Sequence, residues 1–587
     1  MRLVLHRDIP DDPLLQDQWN TLVLQMERPE IFYTHQWSLA VRRAFSDSLW
    51  PMLVLAYEGE KLTGVAALTT DSSQSTASFL CSTSADYCDL LSHPDQRAEF
   101  LEVVLAELRR AGVPSLVLTS IPAESATIKA MSSAARENGY HLFVRPTAMC
   151  AQVDLGSEAE RDKLKTALGK KKIFRYSMNS LVKEGPVSFR HLVTWEAIAP
   201  VLSSFSVAHV ARFLAMGRIS NLVSARRRLL LSELGSLLSE SGRVVVSQML
   251  VGERPIAWNY GFQFRGSWFW YQPTFDTSYE RLSPGYCLLS KMISEACDKP
   301  EMRVVDLGLG SEGYKERFSN SARSTLHASL TKSHGQHMRE IVRYSAAQAV
   351  KSIPRAETAV RGVLGYIGST RQRFEQAGRS GRAERGMKRL TTMINGCKEI
   401  VFYQWSEDRP QKLPRSKEGL SLMPLDLEIL AIGAISYETE ADTISYILRS
   451  ARRLQSKTAQ GFALVNRERT PVHFCWARDF EGFEIPQLDT RLRAPMENAA
   501  MIFDCWTPQS IRERGFFRIA LSLAAQRLST SGNEPWTLTT VANHSGRGIE
   551  SVGFERKYSM IKKMLAWQRV RKVTFNSASR KVEAQAS

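Results

Sequence analysis

Cysteine is scarce and scattered in this chain. Its eight cysteines, at 81, 88, 150, 287, 297, 397, 475 and 505, form no Cys-x-x-Cys pair. That argues against a disulfide scaffold and a structural zinc site, and fits a reducing cytosol. Histidine offers little more: His334 and His337 are the one close pair, without acidic or Cys neighbours at ligand spacing, so no metal site is expected. Long apolar runs are missing as well. None approaches the ~18 residues of a membrane span, and the first dozen residues meet charge and proline before a signal-peptide core forms. The expectation is a soluble, cytoplasmic protein.

What is present is ordinary globular composition, 43% apolar and 23% charged, over 587 residues. That is too long for one hydrophobic core and predicts three or four domains. The net charge of +17 is uneven: between Arg339 and Arg389 there are 12 Lys/Arg against four Glu. Such a stretch suits a solvated linker, or contact with nucleic acid, anionic lipid or an acidic partner. Its aromatics are only Tyr344, Tyr366 and Phe374, too few for a single-strand stacking platform.

One pattern recurs three times: an apolar strand, a tight charged turn and a second apolar strand. The turns are Glu58-Gly59-Glu60-Lys61, Gly252-Glu253-Arg254 and Asn466-Arg467-Glu468-Arg469. Each hairpin is followed by another strand, a loop, a helix with apolar residues three and four apart, and a further strand. The predicted helices lie near 97–110, 285–297 and 515–528, and the closing strands near 115–120, 303–307 and 536–541. Hairpins followed by a strand–helix–strand crossover describe an α/β fold with mixed sheets covered by helices. The boundaries read as modules 1–155 and 156–332, a basic helical linker 333–396, a third module 397–575 and a disordered tail 576–587.

A helix beginning directly after a strand presents free backbone N–H groups and the positive end of its dipole, an anion site. In the third module Arg512-Glu513-Arg514-Gly515-Phe516-Phe517 opens such a helix, followed by Asn543 and by Gly553-Phe554. This block resembles the pyrophosphate motif of the GNAT acetyltransferase superfamily, Arg/Gln-x-x-Gly-x-Gly/Ala. The resemblance implies tandem GNAT-like (acyl-CoA N-acyltransferase) modules and a cofactor cradle of Arg512, Gly515 and Asn543. Two departures weaken it: Phe517 fills the Gly/Ala slot, and Ile549 stands where family members often carry a tyrosine acid.

In the second module Ser283-Pro284-Gly285 suits a helix start, with Gly285 allowing close approach of a ligand. After the next strand comes Asp306-Leu307-Gly308-Leu309-Gly310-Ser311-Glu312-Gly313-Tyr314-Lys315. Its glycines fit G-x-G-x-x-G, but they come late in their module rather than at the start of a βαβ run, and Tyr314 replaces the lysine of a P-loop. Several blocks in order instead resemble the CelD/BcsL-type acetyltransferases of cellulose and exopolysaccharide synthesis over about residues 25–330. They are Phe32…Gln36-Trp37, Asp86-Tyr87-x-Asp89, Lys170-Lys171-Lys172-x-x-Arg175, His209-x-x-Arg212, Phe275-Asp276-x-x-Tyr279…Ser283-Pro284-Gly285 and Asp306-x-Gly-x-Gly…Tyr314-Lys315.

That resemblance implies acetyl-CoA as donor, with Ser283 and Gly285 holding it. It implies a carbohydrate or amino-sugar acceptor met by Asp86, Asp89, His209 and Arg212. Acyl transfer needs an activated acceptor, a polarised carbonyl and a proton for the leaving thiol. Tyr314 is assigned as proton donor, Lys315 as charge stabiliser, and Asp306 as the group that orients or deprotonates the acceptor. The first module has no glycine in Leu91-Ser92-His93-Pro94-Asp95 before its helix and reads as a non-catalytic partner. The basic linker offers contact with a membrane surface or polysaccharide-synthesis machinery, and no DNA partner is expected. Two alternatives stay open: Fem-like aminoacyl transfer, in which the basic segments engage tRNA, and a non-catalytic scaffold of GNAT-like modules.

Overall fold

The computed structural model of the chain describes residues 2–310, 312–351, 397–409, 419–541, 545–563, 571–574 and 584–585. Most of the expected linker, part of the expected tail and Asn543 lie outside the described residues. The chain divides into two units, Met1–His209 with Ser224–Glu357, and Val210–Val223 with Thr358–Ser587.

The first unit is built on one mixed sheet. Its strands are β1 (Arg2–His6), β2 (Trp50–Glu58), β3 (Lys61–Thr70), β4 (Thr76–Phe79), β5 (Leu91–Ser92), β6 (Ser115–Pro122) and β7 (His141–Asp154). They continue with β8 (Val187–Leu192), β9 (Val244–Val251), β10 (Arg254–Phe264), β11 (Ser267–Phe275), β12 (Val304–Leu309) and β13 (Ser321–Thr331). The spatial order is β1-β2-β3-β4-β6-β13-β7-β12-β11-β10-β9-β8, with β5 beside β3. Two parallel pairs, β4/β6 and β11/β12, each enclose a crossover helix, Arg97–Arg110 and Pro284–Cys297. All the other pairings are antiparallel.

The expected modules are not side by side. β7 closes the first and β13 closes the second, yet each lies between its counterpart and the other module's crossover strand. β7 and β13 pair along eleven positions, from Ser321↔Gln152 to Thr331↔His141. The two modules therefore exchange strands and share one sheet.

In the second unit the sheet order is β15 (Ser421–Pro424), β16 (Gln460–Val465), β17 (Pro471–Asp479), β20 (Ala499–Trp506), β21 (Glu534–Thr540), β14 (Cys397–Trp405), β22 (Phe554–Lys563), β23 (Arg571–Thr574) and β24 (Ala584–Gln585). A separate ribbon joins β18 (Glu484–Ile485) to β19 (Thr490–Arg491). The parallel pair is β20/β21, crossed by the helix Phe516–Thr530.

Helix positions follow from their apolar stripes. In Pro284–Cys297, Leu288, Leu289, Met292, Ile293 and Ala296 recur at three- and four-residue spacing and are all buried. They pack on Val245, Met249, Trp268 and Val305 of the sheet, each large side chain contributing roughly 1.5–3 kcal/mol. The opposite face of β10 meets the helix Ala225–Ser239, where Tyr260 Oη donates to the Leu231 carbonyl at 2.7 Å. One helical stretch among the described residues, Trp195–Ala215, is long and apolar enough to cross a membrane, and 39% of its most apolar window is buried. An unbroken apolar run does not reveal it, because Glu196, His209 and Arg212 interrupt the sequence without making the stretch polar overall.

Candidate functional site

The parallel pairing of β11 with β12 covers only Ser267↔Val304 to Phe269↔Asp306. Beyond it the strands splay, and Asp306, buried at 1% exposure, stands at the fork. Asp306 Oδ2 accepts from Tyr87 Oη at 2.8 Å and from Gln152 Nε2 at 2.6 Å, while Oδ1 accepts the Gly308 N–H at 2.8 Å. Gly308 has φ +70°, and a Cβ there would lie 2.7 Å from Asp86 Oδ2, so only glycine fits the turn without strain. The Leu309 N–H faces the Asp86 carboxylate and favours its charged form. Two segments more than 200 residues apart in sequence thus meet in one splay.

The electrostatics of this meeting are unusual. Burial, and then the neighbouring Asp306 charge, push the Asp86 carboxyl up to about 7. Glu30 is also pushed to about 7, by burial and against the pull of Arg323. Arg323 pairs with Glu30, binds Glu124 at 2.6 Å and lies 4.3 Å above the Tyr87 ring. Arg28 reaches Gln152 Oε1 at 3.4 Å and Glu30 at 3.7 Å. Glu30, Arg323 and Gln152 are not marked by sequence motifs. Gln152 and Arg323 become visible only through the exchange of β7 and β13.

Other expected residues fall as follows. Lys315 is buried, and its ammonium donates to the carbonyls of Leu309 (2.7 Å) and Gly308 (3.5 Å) and pairs with Glu312 at 2.9 Å. It therefore buttresses the Gly308–Leu309 turn. Tyr314 Oη accepts from Trp270 Nε1 at 3.1 Å, and so stands against the other strand of the fork. Asp89 is separated from Asp86: its carboxylate is taken by Ser125 (2.6 Å), Thr127 (2.5 Å) and Arg97 (3.5 Å) within the first module. His209 and Arg212 stand one turn apart on the helix Leu202–Ala215, with the buried His209 ring 6.0 Å from that of Phe205.

Ser283 caps the crossover helix with φ +46° and no side-chain cap bond, and a Cβ on Gly285 would meet only the Phe275 ring, at 3.4 Å. Near this helix start the Lys171 ammonium donates to the Arg317 carbonyl at 2.8 Å. It lies 5.1 Å over the Phe318 ring, which in turn packs on Tyr286.

The second unit repeats the fork: β20/β21 pairing stops at Ile502↔Thr537, and Asp504 follows at φ +49°. Here the turn is already engaged. The Glu440 carboxylate accepts the N–H groups of Gln509 (2.8 Å) and Ser510 (3.0 Å) and the Ser510 hydroxyl (2.6 Å). Arg512 folds back to the Thr507 carbonyl at 3.2 Å and over the Trp506 ring. Gly515 caps the helix at φ +82°, and Phe517 packs inward beside His473.

Residues 169–316 match the family model described as Acetyltransferase (GNAT) domain. That match spans about a quarter of the chain, which over those residues is similar to GNAT acetyltransferases. The fork, its crossover helix and the Asp306–Lys315 segment all fall within the matched GNAT residues. No curated protein sequence matches the chain. Among solved structures it is similar to FemX at 7% identity, with TM-score 0.40 over 58% of this chain and 100% of that one. A conserved protein from Bacteroides thetaiotaomicron VPI-5482 is 11% identical, with TM-score 0.38 over 56% and 100%. A tandem GNAT protein from the clavulanic acid biosynthesis pathway is 13% identical, with TM-score 0.32 over 56% and 98%.

A GNAT domain implies an acyl-CoA donor. The first unit fits one: its fork is bounded by Trp270 and Gly308, and the helix beginning at Pro284 opens beside Lys171. The second unit fits less well, because Phe517 packs inward beside His473 in the slot the motif gives to Gly or Ala, and Arg512 folds back on the Thr507 carbonyl and Trp506 ring.

Proposed function

We propose that this protein is an acyl-CoA-dependent transferase, with acetyl-CoA as donor and a carbohydrate or amino-sugar as N- or O-acceptor, acting in cytoplasmic steps of exopolysaccharide or cell-envelope biosynthesis. The observation that carries the proposal is the convergence of Asp86 and Asp306 in the β11/β12 fork of the GNAT domain. We assign the modules as 1–155 and 156–332, with 397–575 as a third, and place the working site where the first two meet.

Ser283, Gly285 and Lys171 would hold acetyl-CoA, which when bound supplies an electrophilic thioester and a thiol leaving group. The remaining work belongs to the chain. Asp86, poised near neutrality, accepts the proton of the attacking hydroxyl or amine. Asp306, fixed by Tyr87, Gln152 and the Gly308 N–H, orients that acceptor group. Tyr314, whose oxygen accepts from Trp270 Nε1, is assigned as the proton donor to the leaving thiol. Lys315 holds the turn that presents the Leu309 N–H to Asp86.

A second possibility has one observation in its favour. Lys172, Arg175 and Tyr176 are exposed on the helix Lys172–Glu184, Tyr176 at 63%. Cations beside an exposed ring suit a stacked base and phosphates, as an aminoacyl-tRNA donor of the Fem type would require.

Titrating acetyl-CoA while following the melting temperature separates the two. At 100 times its dissociation constant the ligand stabilises its unit by roughly 2.7 kcal/mol. Gly285→Trp is expected to abolish the shift and Gly515→Trp to leave it. No shift in the folded parent, with a tRNA mobility shift that weakens as salt rises, would favour aminoacyl transfer instead.

A further inference from the structure

Two helices of the first unit, Glu158–Lys170 and Lys172–Glu184, lie against the crossover helix Pro284–Cys297. From Lys163 to Lys183 the chain carries seven Lys or Arg and no Asp or Glu. Two of the seven are committed within the fold: Lys165 pairs with Asp298, and Lys171 donates to the Arg317 carbonyl. Lys170, Lys172, Arg175 and Lys183 are exposed and have no ion-pair partner among the described residues.

The helix Lys172–Glu184 sorts its residues by face. Phe174, Met178 and Leu181 pack toward the core beneath it. Lys172, Arg175, Tyr176, Asn179, Val182 and Lys183 are exposed and, at about 3.6 residues per turn, share an arc of about 120°. Tyr176 is 63% exposed and Val182 57%. An ordinary solvent face intersperses both signs of charge and keeps bulky apolar side chains few. This face has one sign of charge, and sets two apolar groups among the cations.

We infer that this face docks the first unit on an anionic lipid surface. The four unpaired cations supply the attraction to lipid phosphates, and their aliphatic stems can lie along the surface while the heads reach the phosphates. A tyrosine ring suits the headgroup level. The Val182 isopropyl group offers nothing to a phosphate or a base, and gains by entering the acyl boundary. A nucleic acid would call for a run of stacking rings, and Tyr176 is the single ring on the face. The same helix packs against Thr277–Leu282, the segment leading into the helix start at Pro284. Docking therefore holds that end of the candidate site near the lipid headgroups. The inference goes beyond acyl transfer and is independent of the donor.

The test is co-sedimentation of the full chain with mixed phosphatidylglycerol–phosphatidylcholine vesicles, with pure phosphatidylcholine vesicles and a tRNA mobility shift alongside. Lys172→Gln, Arg175→Gln, Tyr176→Ser and Val182→Ser are compared with Arg136→Gln, which removes an exposed cation from another helix. The parent is expected on the mixed vesicles only, with binding lost as salt rises. Each of the two charge substitutions should weaken binding about fivefold. Tyr176→Ser and Val182→Ser should weaken it too, and Arg136→Gln should leave it unchanged. All five positions are exposed, so the variants should keep the parent's melting temperature. Equal binding to neutral vesicles overturns the inference, as does absence of vesicle binding or vesicle binding that the four face substitutions leave unchanged. A tRNA shift that the same substitutions abolish, without vesicle binding, overturns it in favour of RNA.

Discussion

Replacing Asp86 by asparagine should make the first unit more stable and the enzyme inactive, with a pH dependence opposite to that of most carboxylates. Asp86 is half-buried beside Asp306, and burial with that neighbouring charge pushes its carboxyl to about 7, against an ordinary value of 3.8. A carboxyl raised on folding binds its proton more tightly in the native state than in the unfolded chain. Native stability therefore falls as pH rises from 3.8 towards 7 and is flat above. The full difference corresponds to ~4 kcal/mol at pH 8, and to ~2 kcal/mol at pH 5.5, where only part of it has developed. An amide keeps an acceptor for the Leu309 N–H and presents Asp306 with a donor in place of a second charge. Urea unfolding followed by fluorescence, for parent and Asp86→Asn at both pH values, measures the gap directly. The reasoning fails if the variant is no more stable at pH 8, or if the gap does not narrow at pH 5.5. Loss of turnover alongside increased stability would mark the strain at Asp86 as functional.

Three further outcomes follow from the same contacts. Arg323→Met leaves Glu30 and Tyr87 without the cation between β13 and the first module. Removing one partner of a buried pair costs about 3–5 kcal/mol, to be read as a lower urea midpoint for the first unit. Gly308→Ala forces an alanine to φ +70° against Asp86. It should cost about 1–3 kcal/mol and reduce turnover more than donor affinity in steady-state kinetics. Glu440→Ala strips the carboxylate from two backbone N–H groups and the Ser510 hydroxyl. A loss of about 1–2 kcal/mol is expected in the second unit, measured by differential calorimetry; an unchanged second transition would show that the contact is idle.

The local elements were legible because each carries its own signal. The three hairpins and the three amphipathic helices are set by alternation, turn residues and apolar spacing, all short-range properties. Part of the candidate site was legible too, since Asp86, Asp306, Tyr314 and Lys315 sit in compact blocks. What sequence could not show is which blocks meet. Asp86 and Asp89 are two turn residues in one motif, yet one reaches the β12 turn while the other is consumed by Ser125, Thr127 and Arg97. Gln152 and Arg323 look like ordinary strand residues and acquire roles only through long-range pairing.

The strand exchange explains why a module without a phosphate turn belongs to the site. Taken in spatial order, the second module reads β8-β9-β10-β11-β12-β7-β13 and the third reads β15-β16-β17-β20-β21-β14-β22. The two orders match strand for strand, including the strand contributed from before the hairpin, so the structural repeat begins two strands ahead of its hairpin. The first module, β1-β2-β3-β4-β6-β13-β7, has the same order but takes its inserted strand from the end of the second. Because β7 and β13 pair along eleven positions in the shared sheet, separating these two modules would leave each without its inserted strand. The exchange also fixes the register that brings Gln152 of β7 to Asp306 and Arg323 of β13 to Glu30 and Tyr87. It follows that residues 156–332 expressed alone would lack β7, Asp86, Tyr87 and Gln152, and would fail through an open sheet and an incomplete fork. Residues 1–351 carry both closing strands and every residue of the network. They are expected to fold cooperatively and retain the acetyl-CoA shift; an active 156–332 fragment would refute the composite site.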